Sequence, residues 1–233
     1  MTELRCLVIF DVDGTLFRTD CVTVPAVQRT FADFGLPIPD RGLILGFFGK
    51  SVASYEDWLA QQCPPGQAPE IIAATNALEL HLIGEAGQLY PGVMETLEQL
   101  RSDGYIMAIC SNGPQPYVDE VLDKHHLREF FPVVYARDTR YSGKEEMVRL
   151  ILDKIVSDVF VVIGDRHDDI EAAHAWNGYG IAATYGFGCP DEWREADAMI
   201  ENITQTPVCV KRMLKYLNPY PYPYRNRNRN QNQ

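Results

Sequence analysis

The run Arg5-Cys-Leu-Val-Ile-Phe10 ends abruptly in Asp11-Val12-Asp13-Gly14-Thr15-Leu16, and this junction decides how the rest of the chain is read. RCLVIF is apolar and rich in β-branched residues, the pattern of a buried strand. Four similar runs follow at Tyr105–Cys110, Pro132–Tyr135, Asp158–Ile163 and Tyr179–Ala183, with a shorter one near Ala198–Ile200. Between them lie helix-period stretches, Gly92–Ser102, Gln115–Lys124, Lys144–Lys154 and Asp169–Trp176. Strands that alternate with helices imply βαβ units, and hence a doubly wound parallel α/β sheet covered on both faces. Ligands in such sheets gather beyond the carboxyl ends of the strands, so the polar residues that directly follow each strand are site candidates.

Residues 22–89 break this alternation. They carry helical stretches at Val24–Phe34, Val52–Gln62 and Glu70–Ile83 and no convincing strand, as expected of a small helical insertion. Its borders have turn chemistry, Arg18-Thr19-Asp20 on one side and Tyr90-Pro91-Gly92 on the other. The expected division is a discontinuous α/β core of residues 1–18 and 90–217 with a helical cap at 19–89. Residues 218–233 are Pro/Tyr- and Arg/Asn-rich and are expected to be extended or disordered.

With 233 residues, 46% of them apolar and 23% charged, the composition is that of an ordinary globular protein. Acidic residues outnumber basic ones by 32 to 21, a formal charge of −11 that repels nucleic-acid backbones and argues against such a partner. The six cysteines are scattered without a CxxC pair and read as reduced thiols. The first apolar run is too short and too soon charged for a signal peptide or a membrane span, so cytoplasm is the expected compartment.

Asp11 and Asp13, two apart at a strand end, suit a nucleophile and a general acid. A carboxylate can attack phosphorus to form an aspartyl-phosphate, and its neighbour can protonate the leaving alkoxide and then activate water. Taken alone, the pair also fits an acidic turn; a calcium EF-hand loop is disfavoured, since no glutamate stands at the twelfth position from Asp11. Ser111 and Asn112 follow the Tyr105–Cys110 run and offer a hydroxyl and an amide to a phosphate oxygen, or equally a helix cap. Lys144 opens a helix, where a cation is disfavoured by the dipole unless it meets an anion. After Val159–Ile163 come Asp165, Asp168 and Asp169, a cluster that repels itself unless a hard divalent cation such as Mg²⁺ neutralises it.

Taken in order, Phe10–Leu16 (FDVDGTL), Cys110–Gly113 (CSNG), Gly143-Lys144 and Gly164–Trp176 (GDRHDDIEAAHAW) resemble the four motifs of the haloacid dehalogenase-like hydrolase superfamily. Tyr185–Trp193 and Ala196–Ile200 are similar to the tail of its phosphoglycolate phosphatase-like branch. The resemblance implies a Rossmann-like core with Asp11 as nucleophile and Asp13 as general acid and base. It further implies that Ser111 and Lys144 bind the transferred phosphoryl, and that Asp11, the Asp13 carbonyl and Asp165 hold Mg²⁺, with Asp169 contributing through water or by orienting other groups. The expected activity is Mg²⁺-dependent hydrolysis of a small phosphorylated metabolite, phosphoglycolate-like or a sugar phosphate, with no nucleic-acid or membrane partner.

Two positions depart from many relatives: Arg18 stands where an acidic residue is frequent, and Glu145 replaces a proline after the lysine. Lys50, in Gly46–Ser51 (GFFGKS), and Arg18 are therefore candidate contacts to an anionic leaving group. Alternatives within the fold are a sugar-phosphate mutase of the β-phosphoglucomutase type and a phosphonoacetaldehyde-type hydrolase; a catalytically silent binding protein is the alternative outside enzymology.

Overall fold

A computed structural model of the chain describes residues 4–48, 52–137 and 140–216. Lys50 and the segment 218–233 lie outside the described residues.

Six strands, β1 (Cys6–Phe10), β2 (Ile106–Pro114), β3 (Val133–Arg137), β4 (Val159–Gly164), β5 (Tyr179–Ala183) and β6 (Ala198–Ile200), form one parallel sheet in the order β3-β2-β1-β4-β5-β6. All five residues of β1 are buried, and their alternation explains why. Cys6, Val8 and Phe10 face one core with Val93, Leu97 and Leu100 of α5 (Val93–Ser102) and Val118, Val121 and Leu122 of α6 (Gln115–Lys124). Leu7 and Ile9 face the other core, with Met147, Val148 and Ile151 of α7 (Lys144–Lys154) and Ala172 and Ala173 of α8 (His167–Ala175). A strand covered on both faces must be apolar at every position, which is what Cys6–Phe10 (CLVIF) provides.

The strand order carries the functional consequence. From β1 the chain steps outward to β2 and β3, then returns to the other side of β1 as β4. The reversal opens a crevice between the carboxyl ends of β1 and β4, the ligand position in open α/β sheets. Phe10 pairs with Ile163, and the Asp11 amide donates to the Ile163 carbonyl at 2.9 Å, so the residues after both strands emerge side by side.

Between β1 and α5 lie four helices, α1 (Thr23–Asp33), α2 (Arg41–Leu45), α3 (Val52–Gln61) and α4 (Ala68–Glu85). They share an apolar cluster of Val27, Phe31, Ile44, Leu59 and Ile71. The two chain passages that connect them to the sheet are bonded to each other: the Arg18 amide donates to the Gln88 carbonyl at 2.8 Å, and the Tyr90 amide to the Leu16 carbonyl at 2.9 Å.

The structure differs from the expected elements in three places. Strand β2 continues past Cys110 to Pro114, with a register shift between Ser111 and Pro114, so Ser111, Asn112 and Gly113 occupy its irregular end and not a loop. Helix α8 starts at His167, two residues early, because the Asp169 carboxylate caps the Arg166 amide at 3.2 Å. Helices α2 and α9 (Thr206–Tyr216) are additional; α2, capped by Asp40 on the Gly42 amide at 2.7 Å, is too short to present a helical period.

Candidate active site

Asp11, Asp165 and Asp169 converge beyond β1 and β4, with one carboxylate oxygen from each within 4.8 Å of the others and all three side chains buried. Two glycines make this approach feasible. Gly14 has a φ of +74°, and a Cβ there would sit 2.3 Å from Oδ2 of Asp165; a Cβ on Gly164 would lie 2.0 Å from the Asp169 carboxyl carbon. The Phe187 amide donates to Asp165 Oδ2 at 2.6 Å, and the Trp193 indole to the Asp165 carbonyl at 2.8 Å, fixing the loop.

Lys144, at the start of α7, reaches into the cluster. Its Nζ lies 2.5 Å from Asp169 Oδ1 and 3.1 Å from Asp11 Oδ1. Burial alone would depress its pKa, but the carboxylates of Asp11, Asp168 and Asp169 outweigh burial and hold it well above the ordinary lysine value. For the acids it is burial that outweighs the opposite charge. Burial pushes Asp11 up to about 7 despite Lys144, with Asp13 and Asp165 adding repulsion. Burial and then Asp169 push Asp165 to about 7, and burial also raises Asp169. Three buried carboxylates facing one ammonium form a hard-oxygen donor set, and such a set fits a divalent cation. Asp11, Asp165 and Asp169 are the side chains that could hold it.

Asp13 stands apart from the three. Its Oδ1 accepts hydrogen bonds from the Thr19 hydroxyl at 2.5 Å and the Tyr117 hydroxyl at 2.7 Å. Burial raises its pKa against these two donors. Thr19 and Tyr117 escaped the sequence reading. Tyr117 follows Ser111 by six residues, yet nothing local distinguishes it from a core aromatic on α6.

A cavity of about 250 Å³ opens above these groups, bounded on the sheet side by Asp11, Asp13, Asn112, Tyr117, Lys144 and Arg166. Ser111 is buried beneath it, its hydroxyl accepting from the Gly113 amide at 3.0 Å. Asn112 lines the cavity with its amide engaged, donating to Asp168 at 2.6 Å and accepting from Arg137 at 2.9 Å. Arg18 is not among the lining residues; it bonds Gln88 at 3.3 Å and Asp20 at 3.4 Å at the passage between sheet and helices. His167 pairs with Glu171 at 3.2 Å on the exposed side of α8. Arg166, which the sequence reading passed over, donates to the Phe48 carbonyl at 2.5 Å and to Glu192 at 2.7 Å, tying the helical segment to the sheet.

The sequence model of haloacid dehalogenase-like hydrolases matches residues 8–183, from within β1 to the end of β5. The chain belongs to that family. Among proteins similar to this hydrolase are the phosphoglycolate phosphatases of Aliivibrio fischeri, 29% identical over 78% of this chain and 85% of that one, and of Vibrio cholerae, 28% identical over 84% and 93%. The fold is shared with a crystal structure of a predicted phosphoglycolate phosphatase from Haemophilus somnus, TM-score 0.81 at 21% identity, covering 90% of this chain and all of the other. This haloacid dehalogenase-like hydrolase is a phosphoric monoester hydrolase. No helix among its described residues is long and apolar enough to cross a membrane.

Proposed function

We propose that the enzyme hydrolyses the phosphate monoester of a small metabolite through an aspartyl-phosphate on Asp11, with Mg²⁺ held by Asp11, Asp165, Asp169 and the backbone carbonyl of Asp13. The observation that carries this reading is the position of Asp11: buried at the end of β1, sharing one cluster with Asp165 and Asp169 and lying 3.1 Å from Lys144. The ion supplies charge neutralisation, which lets an anionic nucleophile approach an anionic phosphoryl group.

In the first displacement an Asp11 oxygen forms a bond to phosphorus, the bond from phosphorus to the ester oxygen breaks, and Asp13 gives its proton to the departing alkoxide. In the second, Asp13 takes a proton from water as the water oxygen bonds to phosphorus and the Asp11–phosphorus bond breaks, releasing inorganic phosphate and restoring both residues. Thr19 and Tyr117 hold Asp13 in line. Lys144 and Ser111 bind the transferred phosphoryl, Lys144 adding positive charge where the transition state spreads its negative charge. Residues 19–89 act as a cap that closes over the crevice and excludes water.

The test is phosphate release from p-nitrophenyl phosphate and from alkyl phosphates by the wild-type enzyme and by Asp11→Asn. The variant keeps the shape and loses the attacking charge, so it should be inactive; substantial turnover by it would overturn the mechanism.

A further inference from the structure

The wall that the helical segment contributes to the cavity has its own chemistry. It comes from α1, α3, α4 and the turn after α2, and includes Thr23, Phe47, Tyr55, Glu56, Asn76 and Glu79. Among the described residues that line the cavity, this wall contributes two carboxylates and no basic side chain. Among the described residues the two cations that line the cavity, Lys144 and Arg166, belong to the sheet side and are engaged there with Asp11 and Asp169, and with Glu192 and the Phe48 carbonyl.

A second observation is independent of that charge pattern. The Tyr55 hydroxyl is shielded from solvent and has no hydrogen-bond partner among the described residues. Tyr55, Glu56 and Glu79 line the same cavity, and burial, then the charges of Glu79 and Glu56, push the phenol's pKa up. Glu79 accepts from the Thr23 hydroxyl, and burial raises it to about 7 despite that donor, with Asp13 adding repulsion. Buried polar groups in folded proteins are almost always paired, so an unpaired phenol in a cavity wall that also carries two carboxylates points to a ligand that supplies the missing bond.

We propose that this wall is the leaving-group subsite and that it takes an alcohol bearing an ammonium group, so that the substrate class is the phosphorylated amino alcohols. The inference rests on the phosphatase reading above. An ammonium donates to Glu79 and to the Tyr55 oxygen at once, and brings the positive charge that the wall's carboxylates favour. The faces of Tyr55 and of Phe47, itself stacked on Trp58 at 4.6 Å, suit the same cation. A leaving group ending in a carboxylate would meet Glu79 as a like charge, and a neutral hydroxyl would satisfy Tyr55 while leaving the wall's charge unmatched. This is the opposite polarity to the anionic leaving group that Lys50 and Arg18 suggested in the sequence.

Three esters of nearly equal size separate the cases: phosphoethanolamine, ethylene glycol phosphate and phosphoglycolate, whose leaving alcohols carry a positive, no and a negative charge. With the wild-type enzyme and Mg²⁺, kcat/KM should fall in that order, with roughly tenfold or more between the first and the last, as one charge reversal beside a partly exposed carboxylate supports. Glu79→Gln and Tyr55→Phe should each narrow that ratio. Equal values, a reversed order, or a ratio that neither variant changes would overturn the subsite. The wild-type order decides even where a variant fails to fold. Turnover of p-nitrophenyl phosphate separates the two levels: with turnover present, a wrong order defeats the subsite alone, whereas no turnover of any ester defeats the phosphatase mechanism and the subsite with it.

Discussion

The ammonium of Lys144 lies 2.5 Å from Asp169 Oδ1, joining the start of α7 to the first turn of α8 inside a buried cluster. The pair places a fixed positive charge among the acids before any substrate arrives. Lys144→Met removes that charge from a site where both partners are buried. In chelator the variant should lose roughly 3–5 kcal/mol of stability, the usual cost of leaving a buried charge without its partner. Its kcat should fall by about two to three orders of magnitude, and added Mg²⁺ should not restore it, because in the proposed mechanism the lysine meets a different part of the phosphoryl group. Urea unfolding and steady-state kinetics check the two halves.

Chelation should abolish turnover and Mg²⁺ should restore it, while Ca²⁺, with its larger and looser oxygen shell, should support little. A readout free of catalysis is available as well. If Mg²⁺ binds the folded cluster and not the unfolded chain, it should raise the thermal midpoint of the wild-type protein. The same titration of Asp165→Asn should show little or no rise, since one of three converging carboxylates is lost.

The Tyr117 hydroxyl, 2.7 Å from Asp13, should matter according to the leaving group. If it positions the acid, Tyr117→Phe should lower kcat by about tenfold for an alkyl phosphate, whose alkoxide needs a proton, and by much less for p-nitrophenyl phosphate. KM should change little in both cases. Equal losses on the two esters would assign Tyr117 a purely structural role.

Glu79 supplies a pH test of the helical wall. Its pKa in the folded chain is raised from 4.5 to about 7 by burial, against the Thr23 hydroxyl and with repulsion from Asp13. Glu56, Tyr55 and Asn76 share that wall with it. The folded state therefore holds the proton more tightly than the unfolded state. The resulting stability is complete below the unfolded value and is lost as pH rises through about 7. Between about pH 5 and pH 8, wild type should lose more stability than Glu79→Gln, and the variant should be the more stable of the two at the upper end. The half-buried position of Glu79 limits the size of the difference, and urea midpoints at the two pH values give its sign.

Much of the sheet was legible because its signals are local. Each apolar run such as Val159–Ile163 stops at a sharp change to polar residues, and period-2 and period-3.6 patterns need only neighbours in sequence. Asp11, Asp13, Lys144, Asp165 and Asp169 could be singled out on the same ground, as polar residues that follow strands or open helices. Ser111 was singled out too, but the irregular end of β2 that holds it depends on pairing with β3, and that is a non-local matter.

The sequence by itself determined which segments become strands and helices, and which charged residues stand at their ends. Only the tertiary structure decided which of those residues meet. Asp11 and Asp165 share a cluster because the chain returns β4 to the side of β1, a choice set by packing helices on both faces of the sheet. Tyr117 reaches Asp13 across 104 residues, and Arg18 turns to Asp20 and Gln88 and away from the cavity. Side-chain aim depends on helix phase and on what packs behind it, so neither outcome is written in the neighbouring residues. The acidic wall of Glu56 and Glu79 is likewise a product of folding: α3 and α4 expose many polar residues, and only their packing above β1 selects the two that face the cavity over Asp11.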